Sequence, residues 1–233
     1  MYLTGFATSL FQANCYLVGP GDDTSGGPCV IIDPGMESAQ PCHQALAQAR
    51  RTPVAVLATH GHIDHVADAA ALAGSYGVPL WIHGADRPFL TDPKAAVNAE
   101  LDALIDLLGG PPPAEPAQVR EYTINPTSGQ GHLEVADLQF ELRHAPGHTP
   151  GCTMLCLDLA AASPTVFTGD VVFAGSIGRT DFRVGNPAAM RLSLRDQVLP
   201  LPDAAALLPG HGPATTMARE RATNPYLLDL WDV

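Results

Sequence analysis

Four side chains with the chemistry of metal ligands crowd into six consecutive positions of this chain: His60, His62, Asp64 and His65. Neutral imidazoles and ionised carboxylates bind a divalent cation when a fixed backbone makes them converge. Gly61, between the first two histidines, allows a tight turn. So compact a loop does not easily direct all four groups at one ion, but it can divide them between two neighbouring ions. Further ligands must then come from elsewhere, and three candidates each follow a strand-like segment. They are His148 in Ala145-Pro146-Gly147-His148-Thr149, Asp170 in Thr168-Gly169-Asp170, and His211 in Leu208-Pro209-Gly210-His211-Gly212. Five imidazoles and two carboxylates suit zinc foremost, and iron or manganese as well. Two-metal sites hold their ions about 3.5–4 Å apart, share a nucleophile between them and lower the pKa of bound water.

The elements that must position these groups are legible as apolar runs. Val54–Ala58 reads as a buried strand that ends just before the histidine cluster, and an alanine-rich helix from about Val66 to Gly74 follows it. The cluster therefore sits where a strand gives way to a helix, a place where α/β proteins commonly put chemistry. Upstream, Asn14–Val18 and Cys29–Ile32 read as strands, the second closed by the turn-like Asp33-Pro34-Gly35, and Ala39–Arg50 reads as a helix. From about Gly84 to Leu108 the chain looks helical, with Leu101, Leu104, Ile105 and Leu108 as its apolar stripe. Gly109-Gly110-Pro111-Pro112-Pro113 breaks that helix, and Pro116 prolongs the irregular stretch. Strand-like alternation returns from His132 to His144, with strands at Thr153–Leu157 and Thr165–Phe167. A helix over Pro187–Val198 and a short strand, Ala205–Leu208, then lead into Pro209-Gly210-His211.

Composition narrows the partners. At 233 residues, 46% hydrophobic and 15% charged, the chain is expected to form one globular domain, 1–233, with a substantial core. No apolar run approaches the roughly 18 residues of a membrane span. The N-terminus lacks a basic n-region and a small-residue cleavage site, so a cytoplasmic protein with no membrane partner is expected. A formal net charge of −12 and a single lysine, Lys94, argue against nucleic acid as a partner. Five cysteines without a CxxC pair argue against a disulfide framework or zinc knuckle and read as small buried hydrophobes.

The seven ligand positions, in order and context, resemble the metallo-β-lactamase superfamily, whose signature is HxHxDH followed by a distant His, an Asp and a last His. More narrowly, the chain is similar to the glyoxalase II-type hydrolases, in the short bacterial form without a C-terminal helical domain. The segments that carry the resemblance are THGHIDH (59–65), APGHTPG (145–151), FTGDVVFAGSIGRTDF (167–182), LLPGHGP (207–213) and RATNPYL (221–227). It covers most of the chain and is weakest between about 84 and 130. It implies an α+β fold, the four-layered αββα sandwich, with the metals at one edge where two sheets meet. It also implies that His60, His62 and His148 hold the first ion, that Asp64, His65 and His211 hold the second, and that Asp170 bridges both. Asp64 and Asp170 are then catalytic carboxylates as well as ligands. The loop Ser176–Phe182 supplies Arg179 and Phe182 as substrate-binding candidates. Arg179 either binds a substrate carboxylate or pairs with Asp181.

The remaining histidines, His43, His83, His132 and His144, carry no motif and read as partly exposed structural groups. His83 and His144 are alternatively placed to orient ligands, and Asp68 either supports a ligand or faces solvent. Asn224-Pro225-Tyr226 is expected to pack against the body. The resemblance implies hydrolysis of a 2-hydroxyacyl-thiol of the S-lactoylglutathione type. Only Gly212–Val233 follows His211, too short for the helical domain that supplies glutathione contacts, which opens the carrier to other thiols. In one large subclass of zinc β-lactamases a Cys stands where Asp170 does, so the Asp argues against antibiotic hydrolysis. Competing readings are a persulfide dioxygenase using one iron, a nuclease, and a noncatalytic metal-binding module.

Overall fold

The computed structural model describes residues 1–108, 114–159 and 161–230. Six strands form the first sheet in chain order: β1 (Tyr2–Thr8), β2 (Ala13–Gly19), β3 (Gly27–Ile32), β4 (Arg51–Leu57), β5 (Leu80–Ile82) and β6 (Val119–Glu121). β1, β2 and β3 pair antiparallel, whereas β3 through β6 run parallel. Parallel neighbours need crossover connections, and helices supply them. Helix α1 (Ala39–Ala49) follows β3, α2 (Ile63–Val66) and α3 (Ala69–Tyr76) follow β4, and α4 (Ala99–Leu108) follows β5.

The second sheet begins with the meander β7 (Gln130–Val135), β8 (Leu138–His144), β9 (Thr153–Leu157) and β10 (Thr165–Gly169). A two-stranded hairpin, β11 (Val172–Phe173) with β12 (Ser176–Ile177), and the helix α5 (Pro187–Ser193) intervene. Strand β13 (Ala206–Pro209) then pairs parallel to β10, and β14 (Thr215–Thr216) closes the order β14-β13-β10-β9-β8-β7. Helices α6 (Met217–Thr223) and α7 (Pro225–Leu228) end the described chain.

Alternate side chains of one strand enter different cores, and this explains why the central strands read as unbroken apolar runs. Val30, Ile32, Ala55 and Leu57 of the first sheet meet Leu155, Leu157 and Phe167 of the second. Their neighbours Cys29, Ile31 and Val56 point the other way, onto Cys42 and Leu46 of α1 and Leu72 of α3. On the far side Met154, Cys156 and Val166 face Met190 of α5 and Met217 of α6. Helix, sheet, sheet, helix are the four layers, an α+β sandwich. All five cysteines are free and buried within it. Among the described residues no helix is long and apolar enough to cross a membrane.

The elements differ from the sequence reading where short-range signals mislead. The stretch from 84 is not one helix: two 3₁₀ turns, Arg87–Leu90 and Pro93–Ala96, precede α4. Pro88 and Pro93 each open a turn and lack the N–H that a continuous helix needs. Leu101 packs against the Phe89 and Val97 cluster. The side chains of Leu104, Ile105 and Leu108 and the breaker Gly109–Pro113 lie outside the described residues. The helix read over Val66–Gly74 is split at Ala67–Asp68 into α2 and α3, and that over Pro187–Val198 passes from α5 into a π turn, Leu194–Val198. Strands β1, β5, β6 and β14 escaped the sequence reading because three of them are two or three residues long and β1 is a partly exposed edge.

Phe167 is fully buried between the sheets and meets the Tyr16 ring edge-on at 5.3 Å. Phe167→Ala should therefore destabilise the fold by about 3–5 kcal/mol, measured as a lowered midpoint in chemical denaturation.

Candidate metal centre

Five strands end at the same edge of the sandwich, and each delivers part of one cradle. Asp33 follows β3. His60 and His62 lie in the loop after β4, with Asp64 and His65 on α2. His148 follows β8, Asp170 follows β10, and His211 follows β13. Residues 146 positions apart in the chain converge because the sheets, not the loops, carry the alignment. His60, His62 and His148 each offer a ligand atom within 4.8 Å of the others, and so do Asp64, His65 and His211. Asp170 faces both groups: one oxygen is 3.5 Å from His65 Nε2, and the other is 3.4 Å from His148 Nε2 and 3.6 Å from His211 Nε2. The structure thus brings together all seven residues selected from the sequence.

The tautomers follow from the partners of the outer ring nitrogens. His148 Nδ1 donates to the Arg179 carbonyl (2.7 Å) and His211 Nδ1 to the Phe11 carbonyl (3.1 Å). His65 Nδ1 donates to Asp33 Oδ2 (3.2 Å). Thr59 donates its hydroxyl to the same oxygen (2.6 Å), which leaves Thr59 Oγ1 to accept from His60 Nδ1 at 3.1 Å. Each of these rings turns its Nε2 inward. The result is a set of acceptors pressed together: His62 Nδ1 and His148 Nε2 lie 2.8 Å apart, His65 Nε2 and His211 Nε2 3.2 Å apart. His60 Nε2, His62 Nε2 and Asp170 Oδ1 are buried without a hydrogen-bond partner. Neutral acceptors at such spacing repel unless a cation or a proton lies between them, and this nitrogen–oxygen donor set fits divalent zinc, iron or manganese.

Protonation shows the same demand for positive charge. Burial disfavours the imidazolium of His65, but Asp64, Asp170 and Asp33 outweigh it and hold its pKa up at about 10. Burial likewise opposes the Asp64 charge, yet His65 and His211 keep that carboxyl below the usual range. For Asp170 burial wins, and its carboxyl is pushed up. Burial and neighbouring imidazoles drive His62 down to about 3, and burial above all takes His148 down to about 4. Burial and the surrounding imidazoles hold His60 down as well, so three neutral nitrogen donors stand beside a pair of carboxylates compensated by protons. A divalent cation held by Asp64, His65 and His211 would take the place of such a proton.

Two buried acids escaped the sequence reading. Asp33, seen there only as a turn residue, accepts from Thr59 N (2.7 Å), Thr59 Oγ1 and His65 Nδ1, and adopts a left-handed φ of 50°. Asp86 accepts from Gly61 N, Thr149 Oγ1 and Gly151 N. Neither carries a local motif, since the groups they hold lie about 25 to 65 residues away in the chain. Asp68 is turned from the site and caps α1 through Ala39 N at 2.8 Å. His83 and His144 stack on each other at 4.2 Å, with His144 Nε2 donating to the Pro150 carbonyl. Phe182 stands edge-on to His62 at 5.1 Å. Arg179 makes a two-pronged pair with Asp181 (2.6 and 2.7 Å) and lies over the Phe182 ring at 4.4 Å. Asn224 is buried and donates to Ser176 O (3.0 Å), tying the C-terminal helices to the loop after Asp170.

A family model described as the metallo-beta-lactamase superfamily matches residues 8–211. The hydroxyacylglutathione hydrolase GloC of Haemophilus influenzae is 35% identical over 219 residues, 93% of each chain. Among solved structures, the BLEG-1 B3 metallo-beta-lactamase superposes with a TM-score of 0.79 at 31% identity, covering 97% of this chain and 99% of that one. TTHA1623 in a di-iron-bound form superposes with a TM-score of 0.76 at 33% identity, covering 96% and 100%.

Removing divalent ions with a chelator should lower the thermal midpoint, and restoring zinc should raise it. At a free ion concentration about 100 times the dissociation constant the gain is about 2.7 kcal/mol, read by differential scanning calorimetry.

Proposed function

The chain belongs to the metallo-beta-lactamase superfamily, and on that footing we propose that it hydrolyses the thioester of a small hydroxyacyl-thiol, with two divalent ions as cofactors. What supports the reading most is the position of Asp170, which faces both ligand groups at once, in a chain 35% identical to a hydroxyacylglutathione hydrolase. His60, His62 and His148 would hold one ion, and Asp64, His65 and His211 the other, with Asp170 shared between them. When bound, two such ions supply a water of lowered pKa and polarise an acyl carbonyl. Zinc remains the first candidate, and the likeness to a di-iron-bound protein keeps iron beside it.

The chain's own residues prepare the rest. Asp33 and the carbonyls of Phe11 and Arg179 each accept the outer N–H of one ring and so aim its inner nitrogen at the centre. Phe182 forms an apolar wall beside His62 and His148 that limits water at the acyl group. Arg179 can reach a substrate carboxylate by releasing Asp181; both side chains are more than half exposed, so that exchange costs little. A thiolate is a good leaving group, so the reaction calls for no protein nucleophile. We place the reaction in the cytoplasm, on small-molecule acyl-thiols, with neither nucleic acid nor membrane as partner.

The test is a panel of hydroxyacyl-thioesters on different thiol carriers, with a β-lactam as comparison substrate, run on zinc- and iron-loaded protein beside an oxygen electrode. Thioester turnover without oxygen uptake is expected, and His62→Ala should reduce it to background while circular dichroism stays unchanged. Oxygen consumption with glutathione persulfide would replace the hydrolase reading by a dioxygenase, and wild-type turnover in His62→Ala would refute the site.

A further inference from the structure

Asp86 opens the 3₁₀ turn Arg87–Leu90 from its N-cap position, where an aspartate side chain ordinarily accepts from the first backbone N–H groups of its own helix. Here it makes no such bond. Its carboxylate, fully buried, turns away from its helix and toward two loops distant in sequence. One oxygen accepts from Gly61 N at 2.9 Å and Thr149 Oγ1 at 2.6 Å, and the other from Gly151 N at 2.6 Å. Gly61 lies between His60 and His62, and Thr149 is next to His148. One side chain thus joins the loop that carries the first two histidines to the loop that carries the third.

The choice of an acid follows from the donors. Three N–H and O–H groups arrive, and an ionised carboxylate has acceptor sites for all of them, whereas an amide would present its own N–H₂ to at least one. Burial raises the Asp86 pKa and the three hydrogen bonds limit the rise to about 6, so they favour the ionised form. The approach also depends on two glycines. A Cβ on Gly151 would lie 2.5 Å from Asp86 Cγ, and one on Gly61 would lie 2.8 Å from the Asp86 carbonyl oxygen. Only glycine lets either backbone N–H come this close.

We propose that Asp86 is a positioning residue for one half of the metal centre: it sets the spacing between the His60–His62 loop and the His148 loop, and thereby the affinity of that cluster alone. The other cluster is oriented by different groups. Asp33 holds His65 and the Phe11 carbonyl holds His211, and neither touches Asp86. The inference rests on the two-metal reading above, but it concerns how the cradle is built and not which substrate enters it.

Zinc affinities measured by chelator competition separate the two. In a His211→Ala background, which isolates the His60–His62–His148 cluster, Asp86→Ala should weaken zinc binding about 10–100-fold. In a His148→Ala background, which isolates the Asp64–His65–His211 cluster, the same change should alter it less than about 3-fold. Gly151→Ala should reproduce this selective loss, and Thr149→Val, which removes one donor at equal volume, a smaller one; these two variants carry the test if Asp86→Ala does not fold. Equal losses in both backgrounds would mark Asp86 as general scaffold and overturn the proposal, as would no loss in either. Wild-type protein that takes up no zinc would overturn the metal centre itself, a result read before any substitution is made.

Discussion

Acceptors facing acceptors is the constraint on which this structure turns. Around one small space the inner nitrogens of five histidines and the oxygens of two aspartates crowd together, the tightest pairs 2.8 and 3.2 Å apart, mostly sealed from water. Such a group holds together only with positive charge at its centre, from protons or from cations. The protein must therefore supply rigidity against its own repulsion, and the sandwich does so. Each ligand sits within a few residues of a strand end, and the strands are pinned by cores on both faces.

Rigidity at the strand ends is not enough, because an imidazole at the end of a side chain can still spin. A peripheral set of acceptors settles the ring orientations: Asp33 for His65, the Arg179 carbonyl for His148, the Phe11 carbonyl for His211. The two carbonyls belong to segments otherwise unconnected with metal chemistry, the β1–β2 hairpin tip and the loop after β12. This couples them to the centre, so that a shift in either segment reaches a ligand directly. The loop after β12 also carries Phe182 and Arg179 at the mouth, which places substrate contact and ligand orientation on one stretch of chain.

Much of this was legible in the residues. The HxHxDH cluster announced itself because its members are adjacent in sequence, and His148, Asp170 and His211 could be found because each follows an apolar run. The strands Thr153–Leu157 and Cys29–Ile32 were visible since burial on both faces leaves a continuous hydrophobic signature. The split of the 84–108 stretch was misjudged because two prolines that open turns look, in isolation, like prolines tolerated at helix starts. Asp33 and Asp86 were missed for a different reason. A buried acid with distant partners has no local signal, and its sequence neighbours, a DPG turn and the segment before Arg87, are those of any loop.

Residue type and spacing by themselves marked seven side chains with the chemistry of metal ligands and the strands that lead to them. Ligand chemistry is a property of the side chain, and strand burial is a property of a short window. The resemblance supplied their expected division into two groups, but only the tertiary structure decided which ring nitrogens point inward, that Asp33 and Asp86 tie the ligand loops, and that Arg179 rests against Asp181. Those facts depend on distances between segments tens to hundreds of residues apart, set by the packing of two sheets face to face, and no local pattern records them.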